Sequence, residues 1–222
     1  DTNPRVCQER AKRMVSLKPN GYQITLPDWW PPTFNESKNF ILGMQEVVED
    51  IYMILYNPPH AKVLLSLQEI SLLKQSVQNL VGIKCAGGDE QWYSQRRELL
   101  DDFSVFVPGH TVVYGKPLGA NGSYSNVACL SPNGAVKIWD LIEKDYEKAQ
   151  ELEAKVLNFM KQYILPFADK LSNTGLDKLL ASVGGWGPVS EKVLWPYDGA
   201  TTEDVKKIKI HANNELEEIL NV

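Results

Sequence analysis

Short apolar runs alternate with longer stretches of helical periodicity through the first 135 residues or so, and few folds accommodate that rhythm. A helix between successive strands rules out tight hairpins, so the strands must run parallel with crossover helices between them. The strand candidates are residues 22–26, 51–56 (IYMILY), 80–84 (LVGIK), 103–107 and a weaker 122–127 (GSYSNV). Asn3 and Pro4 form an N-cap and first-turn pair that opens a helix over 4–17. Further helices are predicted over 35–48, 67–75 and from the cap Asp89 to about residue 100. From Ala135 onward the pattern is all helical, over 136–163, 175–182 and 202–221, interrupted by Gly184-Gly185-Trp186-Gly187-Pro188.

Five parallel strands fit either an open doubly wound sheet or part of a (β/α)₈ barrel. Closing the barrel takes eight units over about 250 residues, so residues 1–135 would be a partial barrel about three units short. A five-strand remnant would expose a sheet edge and the inward faces of its strands. The functional protein is therefore expected to carry about three further βα units before Asp1, roughly 75 to 100 residues.

The charge balance narrows the partners. With 23 Lys+Arg against 28 Asp+Glu, the net charge is −5, which lacks the basic footprint of nucleic-acid binding. No apolar run approaches the length of a membrane span and no secretory signal opens the chain. Cys7, Cys85 and Cys129 are too few and too scattered for a disulfide framework or zinc site, which points to a reducing, cytoplasmic setting. His60, His110 and His211 are dispersed, so no metal site is expected.

In parallel α/β folds the ligand lies beyond the carboxyl ends of the strands. The residues there are Tyr56, Lys84, His110 and the Ser125-Asn126 pair. Lys84 ends an apolar run, where desolvation lowers the pKa of an ammonium, and a neutral amine attacks carbonyls to form Schiff bases. The plainer alternative is a lysine that caps a strand and reaches solvent. Tyr56 ends the preceding strand and meets Lys84 if the alternation of the two strands matches. A phenol there shuttles protons; the plainer alternative is a buried tyrosine with a satisfied hydroxyl.

Leu55-Tyr56-Asn57-Pro58-Pro59, followed 25 residues after Tyr56 by Val81-Gly82-Ile83-Lys84, resembles the paired Tyr-Asn-x-Pro and Gly-Ile/Val-Lys motifs of the dihydrodipicolinate synthase and N-acetylneuraminate lyase family. Pro27-Asp28-Trp29-Trp30-Pro31-Pro32-Thr33 stands where that family has a Pro-Tyr-Tyr-x-x-Pro-Thr loop, and Gly119-Ala120-Asn121-Gly122-Ser123-Tyr124-Ser125 resembles its eighth-strand motif. The resemblance implies a (β/α)₈ barrel with a C-terminal helical extension. Residues 1–135 would carry strands 4 to 8, and residues 136–222 the last barrel helix and the extension. It also implies a class I aldolase or lyase in which Lys84 forms the Schiff base with a 2-keto acid such as pyruvate and Tyr56 relays protons. Tyr124 would help line the keto-acid site, with Ser125, His110, His60 and Lys62 as further substrate-binding candidates. An aldehyde is the second substrate. No cofactor is implied, and the protein would be a homodimer or homotetramer in which Trp29 and Trp30 contact a neighbouring subunit near the site.

The departures from the family pattern are specific. The family's Gly-Thr-Thr-Gly-Glu carboxylate-binding segment is absent from the sequence. Its second loop tyrosine aligns with Trp29, which has no hydroxyl, and the arginine that grips an aldehyde's carboxylate aligns with Ala61. Two rival readings follow, a degenerate homologue serving as a binding or assembly module and an independent open α/β binding domain.

Overall fold

The computed structural model describes residues 3–221, which divide into two compact units. The first comprises the chain up to Val107 together with Leu118–Gly122, and the second comprises Pro108–Pro117 and the chain from Ser123 onward.

In the first unit, α1 (Pro4–Val15), β1 (Gly21–Thr25), α2 (Phe34–Val48), β2 (Tyr52–Tyr56), α3 (Leu67–Ser76), β3 (Leu80–Lys84), α4 (Glu90–Leu99) and β4 (Ser104–Pro108) follow in strict alternation. The helix starts are written in the sequence. Thr33 with Glu36 and Ser66 with Glu69 form capping boxes on α2 and α3, and Asp89 accepts from the Trp92 amide on α4. Each such cap is worth about 1 kcal/mol and fixes where a strand-to-helix loop ends.

β1, β2, β3 and β4 pair in parallel, and with β5 (Gly122–Tyr124) they form one sheet ordered β1-β2-β3-β4-β5. A doubly wound sheet requires a switch point at which the order reverses. This order has none, so the doubly wound alternative does not hold. Burial agrees: Met53, Leu55, Ile83, Val105 and Val107 are buried, whereas Ile54, Tyr56, Lys84, Ser104 and Phe106 on the other face remain partly open.

Register decides which face Lys84 takes. Met53 pairs with Leu80, but Ile54 pairs with Gly82, so the ladder slips by one residue and Val81 is left over. With strict alternation, Leu80 on the buried face would place Lys84 there too. The slip instead puts Lys84 opposite Tyr56 on the half-open face.

The second unit holds α5 (Val112–Leu118), whose Lys116 pairs with Glu143, and the helices α6 (Val127–Leu130), α7 (Pro132–Lys144), α8 (Tyr146–Phe159), α9 (Asn173–Gly184), α10 (Thr202–Glu215) and α11 (Glu217–Leu220). Its core includes Leu130, Ile138, Leu152, Val156, Phe159, Leu179, Val183, Ala212 and Ile219. The helix predicted over 136–163 is two helices. Asp145 leaves helical geometry (φ −157°, ψ 84°) and its carboxylate accepts from the Lys148 amide, ending α7 and starting α8. The strand predicted over 122–127 stops at Tyr124, because Ser125 turns the chain by accepting from Ala128 with both its carbonyl and its hydroxyl. The helix predicted over 202–221 breaks at Leu216. No helix among the described residues is long and apolar enough to cross a membrane.

Gly82 gives a direct test of the β3 register. A Cβ there would lie 2.8 Å from the Ser104 carbonyl oxygen and 3.1 Å from its Cβ, and a backbone neighbour cannot swing aside. Gly82→Ala is expected to lower stability by roughly 1–3 kcal/mol, read as a fall in the urea midpoint at unchanged m. An unchanged midpoint would refute the tight β3-β4 approach.

Candidate active site

At the carboxyl ends of the strands the ladder brings Thr25, Tyr56, Lys84 and Phe106 into one row, each paired with the next. Lys84 Nζ lies 4.1 Å from the centroid of the Tyr56 ring, within the range where a ring face attracts an ammonium. Tyr56 therefore meets Lys84 with its ring face. The backbone around Lys84 is pinned from both sides, since its carbonyl accepts from Asn57 N and the next amide, Cys85 N, donates to the Phe106 carbonyl. Burial pushes the Cys85 thiol above its ordinary value, which keeps it protonated and a poor nucleophile beside the lysine.

Asn57 organises the loop that follows β2. It is 5% exposed. Its Nδ2 donates to the Val63 carbonyl at 2.7 Å, and its Oδ1 accepts from Leu65 N at 2.9 Å. One side chain thus closes the 57–65 loop with two hydrogen bonds, and Pro58 and Pro59 stiffen its start. The loop delivers His60, Ala61 and Lys62 to a cleft of about 240 Å³ that Thr25, Asp28 and Tyr56 also line. Lys62 Nζ donates to the Trp29 carbonyl at 3.1 Å, tying the two strand-end loops together. Trp29 and Trp30 themselves are 78% and 76% exposed.

The other predicted residues stand in the second unit. His110 lies in the turn Gly109–Thr111, its Nδ1 within 2.9 Å of Asn126 Nδ2 and 3.1 Å of Asn126 Oδ1. Ser125 serves the α6 turn, and Tyr124 is exposed at the end of β5. The structure thus joins Tyr56 with Lys84, places Tyr56, His60 and Lys62 around one cleft, and pairs His110 with Asn126. Among the described residues, no group of three His, Cys, Asp or Glu side chains is placed to hold a metal ion.

Three residues escaped sequence reasoning. Thr25 and Asp28 line the cleft, and Asp28 is its only carboxylate among the described residues. Position at the carboxyl end of β1 (Thr25) or in the loop after it (Asp28) was the available signal. Arg96 is buried, and its guanidinium donates to the Phe103 carbonyl and to Asn121 Oδ1, which also accepts from Val105 N. Nothing in the spacing of α4 marks it out from its exposed neighbour Arg97.

Asn57→Ala removes the partners of the Val63 carbonyl and the Leu65 amide. Leaving them unpaired is expected to cost about 2–4 kcal/mol, measured by chemical denaturation, with faster limited proteolysis between residues 57 and 65. Wild-type stability together with wild-type protease resistance would show that the loop is held by other means.

Comparison with known proteins places this geometry. The model of the dihydrodipicolinate synthetase family matches residues 8–211. A 4-hydroxy-tetrahydrodipicolinate synthase from Teredinibacter turnerae is 33% identical over 106 residues, which are 46% of this chain and only 36% of that relative. Among solved structures, YagE from E. coli K12, a prophage protein of the dihydrodipicolinic acid synthase family determined with pyruvate, is 20% identical and superposes with a TM-score of 0.81 over 97% of this chain and 72% of its own. N-acetylneuraminate lyase from Fusobacterium nucleatum is 18% identical with a TM-score of 0.79, over 96% of this chain and 71% of its own. The structural likenesses show a shared fold. The family match, spanning nearly the whole chain, establishes that this protein belongs to the dihydrodipicolinate synthetase family.

Proposed function

We propose that this protein is a Schiff-base-forming lyase or synthase that cleaves or condenses a 2-keto acid, such as pyruvate, with an aldehyde. The observation that carries the reading is the Lys84–Tyr56 contact on the half-open face of the sheet at the carboxyl ends of β2 and β3. The unprotonated Lys84 amine attacks the keto carbon. Loss of water from the carbinolamine leaves an iminium, which draws electron density from the neighbouring carbon-carbon bond and so serves as the electron sink. Tyr56 moves the protons that enter and leave at the carbinolamine oxygen. His60 and Lys62, which line one cleft with Tyr56, are read as substrate-binding residues.

On this reading the five strands take the places of strands 4 to 8 of a (β/α)₈ barrel, and residues 136–222 supply its last helix and C-terminal extension. Ala61, where the family's carboxylate-gripping arginine would stand, argues against a second substrate held by an arginine. A degenerate homologue kept as a binding module is the second reading. It is favoured by Trp29, whose indole has no hydroxyl to relay a proton and whose backbone carbonyl accepts from Lys62.

Trapping separates the two readings. Borohydride reduction with pyruvate is expected to add a stable mass increment on Lys84, absent in Lys84→Ala of unchanged circular dichroism. An increment that survives in that variant, or none in the parent, rejects the catalytic assignment. Tyr56→Phe is expected to retain trapping while lowering kcat by about 10²–10⁴, and near-parental turnover would move the relay elsewhere.

Trp29 and Trp30 are read as a subunit contact near the site, because two adjacent exposed indoles among prolines offer rigid apolar area. A homodimer or homotetramer follows. Sedimentation velocity of Trp29→Ala/Trp30→Ala is expected to show a smaller species than the parent, and identical profiles would remove the indoles from any interface.

A further inference from the structure

In the second unit, the loop between α9 and α10 carries an apolar tip that the chain leaves bare. Leu194, Trp195 and Tyr197 are 87%, 93% and 56% exposed, and Pro196 between them is exposed as well. The flanks of the tip are nevertheless held. Trp186 Nε1 donates to the Cys129 carbonyl at 2.8 Å, which anchors the start of the loop. The Thr202 hydroxyl donates to Glu191 Oε1 at 2.8 Å, so the first turn of α10 is joined to the residues that lead into the tip. Gly199 lies so close to the Glu191 carbonyl that no Cβ would fit, and a Cβ on Gly175 of α9 would come within 2.8 Å of the Asp198 carbonyl. Tyr197 N donates to the Leu194 carbonyl at 3.0 Å and closes the turn itself. The rings therefore stand on a fixed support.

The size of this surface bears on what covers it. An aromatic side chain presents roughly 150–250 Å², so the exposed fractions of the four residues amount to about 500 Å². That is as large as the largest apolar patch of a typical monomer, about 300–600 Å², and such patches are often functional. Two such tips facing each other remove about 1,000 Å² from water, the area at which specific interfaces begin.

The charged border selects the partner. Lys192 stands before the tip and Asp198 after it, and both are exposed. A membrane surface or a nucleic acid is attracted by an excess of Lys and Arg, whereas residues 185–201 hold one lysine, no arginine and the two carboxylates of Glu191 and Asp198. A partner surface of a single charge sign opposes either Lys192 or Asp198 with its own sign. An identical copy rotated by half a turn avoids this, because in an isologous contact residue i meets j while j meets i. Each Lys192 then faces the partner's Asp198. We propose that the Leu194–Tyr197 turn docks against the same turn of a second copy of this chain about a two-fold axis, with Leu194 and Trp195 at its centre and Lys192–Asp198 pairs at its two borders. The contact uses different residues from Trp29 and Trp30 and does not depend on the chemistry of Lys84.

Sedimentation velocity of the full chain over a dilution series tests this. Leu194→Ser/Trp195→Ser changes only exposed positions, so circular dichroism is expected to stay unchanged while the parent's largest species forms only at about tenfold higher concentration or more. Lys192→Asp alone and Asp198→Lys alone each set like charges against each other and are expected to weaken association. Combined in one chain they restore opposite signs, and association is expected to return toward that of the parent. The proposal is overturned by a parent that stays monomeric, by unchanged association in the Leu194→Ser/Trp195→Ser variant, or by a combined charge swap no better than the single ones. Borohydride trapping with pyruvate is expected to be the same in all these variants as in the parent, so a failure of the imine assignment is read separately.

Discussion

The parallel hydrogen-bond ladder, with its single slip between β2 and β3, sets nearly everything that matters at the candidate site. Side chains on a strand have a period of two, so a shift of one residue exchanges the faces of all that follow. Had Val81 been paired in regular alternation, Lys84 would lie against the helices, where an ammonium has neither solvent nor substrate. Because Val81 is passed over, the apolar residues of β3 still cover the core while its last residue joins Thr25, Tyr56 and Phe106 in one row. The ladder also continues past the strands, through Asn57 N to the Lys84 carbonyl and Cys85 N to the Phe106 carbonyl. The lysine stem therefore rises from backbone that is held on both sides.

The loops depend on that frame in turn. Asn57 follows Tyr56 directly, so the residue that closes the 57–65 loop is fixed by the same pairing that fixes the phenol ring. Lys62 carries the connection to the Trp29 carbonyl, and the Thr33 capping box ends the tryptophan loop at α2. The two strand-end loops are thereby attached to each other and to the sheet by hydrogen bonds from the Lys62 ammonium, the Asn57 amide and the backbone. Such an arrangement allows the side chains at 28, 60 and 61 to vary while the loop path is kept.

Much of the frame could be read in the sequence because its signals are local. Apolar runs with Asn-Pro-Pro or Cys-Ala-Gly-Gly behind them mark strands and their ends, and Asp89, Asn3 and Pro4 mark helix starts through chemistry confined to one turn. The pairing of Tyr56 with Lys84 was legible only as far as alternation could be assumed. The slip at Val81 comes from how β3 meets both neighbours, including the close approach of Gly82 to Ser104, and no short window of sequence encodes that. The same distinction explains the helices. Asp145 sits in a periodic stretch and reads as one more polar helix residue; only its choice to accept from the Lys148 amide reveals a boundary. Arg96 and Arg97 are chemically alike, yet one is buried on the Phe103 carbonyl and the other reaches the Leu118 carbonyl at the surface.

The strictly consecutive order of the strands has a kinetic consequence. Every printed pairing between β1, β2, β3 and β4 joins a residue to one 22 to 31 positions further along, so no pairing has to wait for a distant part of the chain. Loop-closure entropy grows only slowly with length, which makes the cost of adding each strand nearly the same as that of the one before. The sheet can therefore grow by accretion, each strand presenting a template edge to the next as the chain is synthesised, and the slip at Val81 is set as soon as β3 settles on β2.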